Sequence, residues 1–190
     1  VNRLKRVACV VMISALAVPA LAWAQRSPRQ DKSLGGTLMN QDYFTAELYP
    51  EVQLLLANVT KNHYDERVFR NFREGDIHWA QDDIEYVLAH FSNHPGALNL
   101  YAEIAKKTGK PSIAMLAFEN ALREYPQYAY THAQYGRFLV EQGAVIPGIL
   151  ELQEALRLDP DLVTARAWLE GAQRLSDARP VTPSRTKPGP

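Results

Sequence analysis

Apolar residues recur at helical spacing along most of the chain, in blocks separated by glycine and proline. Leu48, Val52, Leu55, Leu56 and Val59 share one face of a helix expected over about 50–60. Pro50 stands near its start, where a missing N–H costs nothing. Tyr64, Val68, Phe69 and Phe72 mark a helix over 64–74, which Gly75 ends because glycine takes the left-handed cap without a steric cost. Asp76 is placed to cap the next, running to about Phe91. Two further pairs follow on the same plan: 95–108 with 111–125, split by Gly109, and 128–142 with 145–158, split by Gly143. Pro111 and Pro147 open second helices, so glycine past one helix and proline inside the next punctuate these turns. A last helix, 162–176, has no partner after it.

The blocks are copies of one unit. Gly75, Gly109 and Gly143 stand 34 residues apart, as do Leu88, Leu122 and Leu156, and Ala80, Ala114 and Gly148. A fixed period of this length means a supersecondary unit repeated in tandem. Ala102 and Gly136 in first helices, and Ala114, Ala121, Gly148 and Ala155 in second helices, let helix axes approach to about 8–10 Å. Tyr101, Tyr135 and Leu169, with Phe118 and Leu152, fill the space between successive pairs. No pair buries its apolar face alone, so stacking makes the core. The expected fold is an all-α solenoid of about three helix-turn-helix pairs, with a leading helix and a C-terminal capping helix.

In residues 129–160, Tyr135-Gly136, Leu139, Gly148, Leu152, Ala155-Leu156 and Asp159-Pro160 form a pattern that resembles the tetratricopeptide repeat (TPR). Residues 95–126 match it comparably, through Leu98, Tyr101-Ala102, Ala105, Ala114, Phe118, Ala121-Leu122 and Pro126. Residues 61–92 are a degenerate copy: Gly75, Ala80, Ile84 and Leu88 fit, but Arg67 replaces a bulky residue and Ser92 the closing proline. The aligned copies span 61–160 inside a helical domain of 46–176, and 162–176 looks like a solo cap whose Glu170 stands where the family has a small residue. The resemblance implies a concave groove, lined mainly by first helices, that holds an extended peptide or a partner helix. Carried over by position, the groove-facing residues are Asp65, Phe69, Asn99, Glu103, Lys106, Tyr130, Ala133, Arg137 and Glu141, of which Asn99, Glu103, Lys106, Tyr130, Arg137 and Glu141 form the expected partner-binding set. The same positions read equally as solvated helix-face residues. They lack the Lys/Asn/Asn/Lys/Arg set by which some family members grip a C-terminal carboxylate, so carboxylate recognition is not expected.

The chain ends read differently from the repeats. Residues 2–6 are basic, 7–21 apolar and small, and Ala22-Trp23-Ala24 precedes polar Gln25, the three-part pattern of a signal peptide over 1–24. The apolar run is short for a spanning helix, which needs about 20 residues, so no stable membrane span is expected after cleavage; an uncleaved anchor is the alternative. Val1 suits an alternative bacterial start codon. Together these predict a periplasmic or secreted protein. Residues 25–45 read as a linker or arm, although Leu34, Leu38, Met39, Tyr43 and Phe44 offer docking groups, and 177–190 reads as a disordered tail. Cys9, the single cysteine, lies in the leader, which leaves a mature chain without disulfide, Cys metal ligand or Cys nucleophile.

Charge and candidate chemistry narrow the function class. Residues 46–177 carry 12 basic and 19 acidic groups. An acidic body does not suit phosphate-backbone binding, so no nucleic-acid partner is expected. His90 and His94 are four apart, but Ser92-Asn93-His94-Pro95 reads as a turn, and no metal or cofactor is expected. His132 reads as packed or hydrogen-bonded. Asp82-Asp83 and Glu85 read as a solvated face, since helix neighbours do not face one another. Tyr125, Tyr128, Tyr130 and Tyr135 crowd the start of the third pair, as loop staples or as an exposed hot spot. The expected function is a non-catalytic adaptor or scaffold that holds a peptide or partner helix. The alternative is a structural homo-oligomer that assembles through the repeat ends, with Trp168 and Leu169 offered by the last helix.

Overall fold

The computed structural model describes residues 38–178. The expected leader, the first part of the arm and the tail from 179 lie outside the described residues. Within them are eight α-helices and no strand: α1 Pro50–His63, α2 Glu66–Glu74, α3 Ile77–His90, α4 Pro95–Thr108, α5 Pro111–Glu124, α6 Ala129–Glu141, α7 Val145–Leu158 and α8 Val163–Asp177. A 3-10 turn, Tyr43–Leu48, precedes them. The pairs are α2/α3, α4/α5 and α6/α7. Each second helix also packs on the first helix of the next pair, α4 touches α6, and α6 touches α8. This is an all-α, TPR-like solenoid.

The 34-residue period is visible in hydrogen bonds. Gly75, Gly109 and Gly143 all have positive φ. After each, the next backbone N–H reaches back five residues: Asp76 to Asn71, Lys110 to Ala105 and Ala144 to Leu139, each at 2.9 Å. These bonds satisfy carbonyls that a helix end leaves orphaned. A second periodic bond joins successive pairs. Tyr101 donates to Glu85 at 2.7 Å and Tyr135 to Glu119 at 3.0 Å, both across 16 residues. Burial first, and then the neighbouring carboxylate, push both phenols well above the ordinary range. The next places in this series are Gln153 and Leu169, which cannot form the bond.

Small residues set the closest approach. A Cβ on Gly136 would meet the Gly148 carbonyl oxygen and Leu152 Cγ, both at 2.8 Å, and one on Gly148 would meet the Gly136 carbonyl oxygen at 2.6 Å. Helices α6 and α7 therefore touch backbone to backbone. Ala165 and Ala172 carry that packing into α8, beside buried Ala133, Leu152 and Ala155. The rest of the core is bulkier, with Ile84, Phe91, Leu98, Ile104 and Phe118 fully buried. Each such side chain contributes about 1.5–3 kcal/mol by leaving water.

The degenerate copy departs from the pattern where the N-terminal elements touch it. Arg67 pairs with Asp83 at 3.2 Å and donates to the carbonyl of Asn62 at 2.5 Å. His63, at the end of α1, bonds Asp83 at 2.8 Å and stacks on Tyr86. Asp83 is thus enclosed, and the acidic run divides: Asp82 stays exposed while Glu85 serves Tyr101. One helix start and one cap expectation change as well. Asp65 caps α2 through the N–H groups of Arg67 and Val68, so that helix begins at Glu66. Asp76 makes no side-chain cap bond.

Residues 38–44 form a strap across the loops between pairs. Asn40 and Gln41 donate to the carbonyls of Ala89 and His90 at 3.0 and 2.6 Å, and His90 Nδ1 bonds the carbonyl of Leu38 at 3.1 Å. Asp42 accepts from buried Asn93 at 2.7 Å and from the Tyr128 hydroxyl. Tyr125 donates to the carbonyl of Asn40. Phe44 packs on Tyr128 and Tyr43 on His94. This end of the arm is a fixture of the loop edge.

Candidate functional site

First helices α4, α6 and α8 enclose a cleft of about 390 Å³. That size falls at the lower end of the roughly 300–1,000 Å³ typical of ligand pockets. Its floor is apolar, from Ala102 on α4, Phe118 on α5 and Phe138 on α6. Its walls carry Asn99 and Glu103 on α4, Tyr130, Gln134, Arg137 and Glu141 on α6, and Trp168 on α8. One helical turn separates most neighbours in this list, so each helix presents one stripe to the cleft.

Five of the six expected partner-binding residues line it: Asn99, Glu103, Tyr130, Arg137 and Glu141. Lys106 lies at its border. Its ammonium bonds Glu103 at 2.5 Å and Glu141 at 2.9 Å. Glu141 also receives Arg137 Nε at 2.7 Å, and the Arg137 guanidinium lies 5.2 Å from the Trp168 ring centre. Burial alone raises the Glu141 carboxyl, but hydrogen bonds from Lys106 and Arg137 outweigh it and hold the group below its ordinary value. Burial likewise lowers Lys106, and its two carboxylate partners reverse the sign. Four charged side chains thus form a closed, neutral quartet. Half-exposed ion pairs of this kind contribute about 0–1 kcal/mol each, so their chief effect is on which charge the cleft offers.

Other positions carried over from the repeat pattern have structural roles. Asp65 is the α2 cap, Phe69 packs edge-on against Tyr64, and Ala133 is fully buried. The tyrosine crowd separates by role: Tyr125 and Tyr128 hold the strap, Tyr135 is core, and Tyr130 opens to the cleft with 38% exposure. Pattern reading left Gln134 and Trp168 out of the groove. Gln134 donates to the carbonyl of Pro95 at 2.9 Å, yet its amide oxygen is buried without a partner. The signal for Trp168 was available: it lies 34 residues after Gln134, so the stripe continues onto α8.

His94 and His132 are structural. His94 caps α4 by accepting from Ala97 N–H at 3.1 Å, which requires the neutral ring, and burial lowers its pKa to about 4. His132 bonds Glu151 at 2.7 Å and the carbonyl of Pro126 at 3.0 Å. Burial lowers its pKa, but both acceptors favour the doubly protonated ring and the net shift is upward. Among the described residues, no group of three or more His, Cys, Asp or Glu is placed to hold a metal. No described helix is long and apolar enough to cross a membrane.

The array is TPR-like. No family model matches the chain, and no curated protein matches it. Solved structures similar to it include two TPR domains. The first TPR of Spaghetti (RPAP3) bound to the HSP90 peptide SRMEEVD has a TM-score of 0.48 and 15% identity, covering 66% of this chain and 93% of that one. The NMR structure of the first TPR domain of human RPAP3 has a TM-score of 0.47 and 16% identity, covering 59% and 89%. In the TPR-like array described above, the cleft occupies the first-helix face and the strap occupies the loop edge.

Proposed function

We propose that this protein is a non-catalytic adaptor that holds a segment of another polypeptide in the cleft between α4, α6 and α8. The observation that carries this reading is an apolar floor beneath polar walls that are only partly used: Tyr130 is exposed, Asn99 is exposed, and the Gln134 amide oxygen lacks a partner. Concave apolar sites with a few convergent polar groups are where ligands bind, and tyrosine and tryptophan are frequent anchors there. The leader-like residues 1–24 support a periplasmic or secreted setting for this work.

A photo-crosslinking residue at position 130, introduced in cells that express the chain, tests the reading. A defined partner chain should be trapped from position 130 and not from position 79, whose exposed tryptophan lies outside the cleft. Equal trapping from both positions would remove the cleft as the binding site.

A further inference from the structure

The partner's chemistry can be narrowed, on the reading that the cleft is where it binds. A groove that seizes an acidic terminus needs cations free to receive it, because a carboxylate taken from water must be paired. The two cations at this cleft are already committed. Lys106 bridges Glu103 and Glu141, and Arg137 bonds Glu141 while lying over Trp168. An incoming carboxylate would find Glu103 and Glu141 beside both cations, within a body that carries excess acid. Phe118 and Phe138 on the floor are already buried in the core, so the apolar surface left for a ligand is on the walls, at Tyr130 and Trp168.

We propose that the cleft selects a polypeptide segment that inserts one bulky apolar side chain between Tyr130 and Trp168, and that the Glu103–Lys106–Glu141–Arg137 quartet excludes segments carrying a carboxylate at that place. Arg137 acts here by holding Trp168 as a wall, and Glu141 acts by consuming both cations. The partner's backbone N–H groups are the natural match for the Gln134 oxygen and for Asn99.

Selection of a random peptide library displayed on phage against the full chain tests this. Peptides that bind the parent chain and lose at least tenfold on Tyr130→Ala should share one large aliphatic or aromatic residue without a neighbouring Asp or Glu. Tyr130-dependent peptides that require Asp or Glu would overturn the inference and leave the adaptor reading standing. A library with no Tyr130-dependent binder would remove both. A second measurement isolates the quartet. Glu141→Gln keeps side-chain size at a partly exposed position, takes the carboxylate from Arg137 and leaves Lys106 with Glu103 alone, so the cleft gains one unbalanced positive charge. A fluorescein-labelled peptide ending in Glu-Glu-Asp with a free carboxylate should bind this variant at least tenfold more tightly than the parent chain, with helicity by circular dichroism unchanged. Equal binding by the two folded proteins would overturn the assignment of the quartet as the excluding element.

Discussion

Two polar regions that both use tyrosine flank the start of α6, and they are spent in opposite ways. On the loop edge, Tyr125, Tyr128, Asn93 and Asp42 satisfy one another through the strap. Burial, then the bond to Asp42, pushes the Tyr128 phenol up to about 12. On the first-helix face, two residues further on, Tyr130 is open, Asn99 is exposed and Gln134 has an unused acceptor. The same residue types thus serve cohesion in one place and recognition in the other. What separates them is whether the chain itself supplies the partner. Orphaned buried atoms are not confined to the cleft, since Asn40 Oδ1 and Ser92 Oγ on the loop edge and Thr131 Oγ1 lack partners too, so the contrast rests on the exposure of Tyr130 and Asn99.

The hardest way to break this contrast is to remove the platform both regions stand on. Gly136→Leu drives a branched side chain into the Gly148 carbonyl and Leu152 and should cost about 1–3 kcal/mol or more. Thermal unfolding should show a clear drop, and an unchanged melting temperature would discard the backbone contact between α6 and α7. Breaking the seam alone comes next. Asp42→Ala leaves the fully buried Asn93 amide and the Tyr128 hydroxyl without their acceptor, at about 1–3 kcal/mol. Urea unfolding measures that loss, and partner capture from position 130 should persist in the folded variant. If capture disappears as well, the two regions are one site and the contrast fails.

The architecture was legible because it repeats. Gly75, Gly109 and Gly143 announce their left-handed caps, and Gly136 with Gly148 announce a close helix contact, since both effects depend on local backbone or residue size. The strap was not legible. Its bonds join Asp42 to Asn93 and Tyr128 across 51 and 86 residues, and no spacing rule encodes such a distance. Arg67 looked like decay of the first copy, but a polar residue there fits once Asp83 and the end of α1 are placed beside it. The groove fell between these cases. The resemblance to the repeat, carried over by position, put Asn99, Glu103, Tyr130, Arg137 and Glu141 at the groove, whereas Ala133, nominated the same way, is buried, because a position carried over from a repeat does not by itself separate a groove wall from the core beneath it.

Titration of two histidines sharpens the contrast without breaking it. His94 has a depressed pKa of about 4 against an unfolded value of 6.5, so the unfolded chain binds the proton more readily. Its contribution is present above pH 6.5 and is lost as pH falls towards 4. His132 has a raised pKa, so its contribution is full below pH 6.5 and is lost as pH rises through the folded value. Unfolding free energies measured from pH 4 to 9 should therefore decline on both sides. His94→Asn keeps a cap-forming side chain and should flatten the acid limb, while His132→Gln should flatten the alkaline limb. Limbs that stay unchanged in these variants would assign the decline to other groups.

The smallest expected change in stability sharpens the contrast most. Tyr130 lines the cleft, is 38% exposed, and lies two residues from the seam's Tyr128. Tyr130→Ala removes a ring that makes no hydrogen bond in the array, so unfolding free energy should fall by no more than about 0.5 kcal/mol, the usual range for surface positions without special contacts. Tyr128→Phe, a smaller chemical change, removes only a hydroxyl, yet it strips Asp42 of a donor and should cost more, about 1–1.5 kcal/mol. Partner capture should follow the reverse order, lost with Tyr130→Ala and kept with Tyr128→Phe. That inversion, a larger truncation that spares the fold and a smaller one that spares binding, is what separate cohesion and recognition require. If stability and capture fall together in both variants, Tyr130 belongs to the seam and the cleft loses its principal wall.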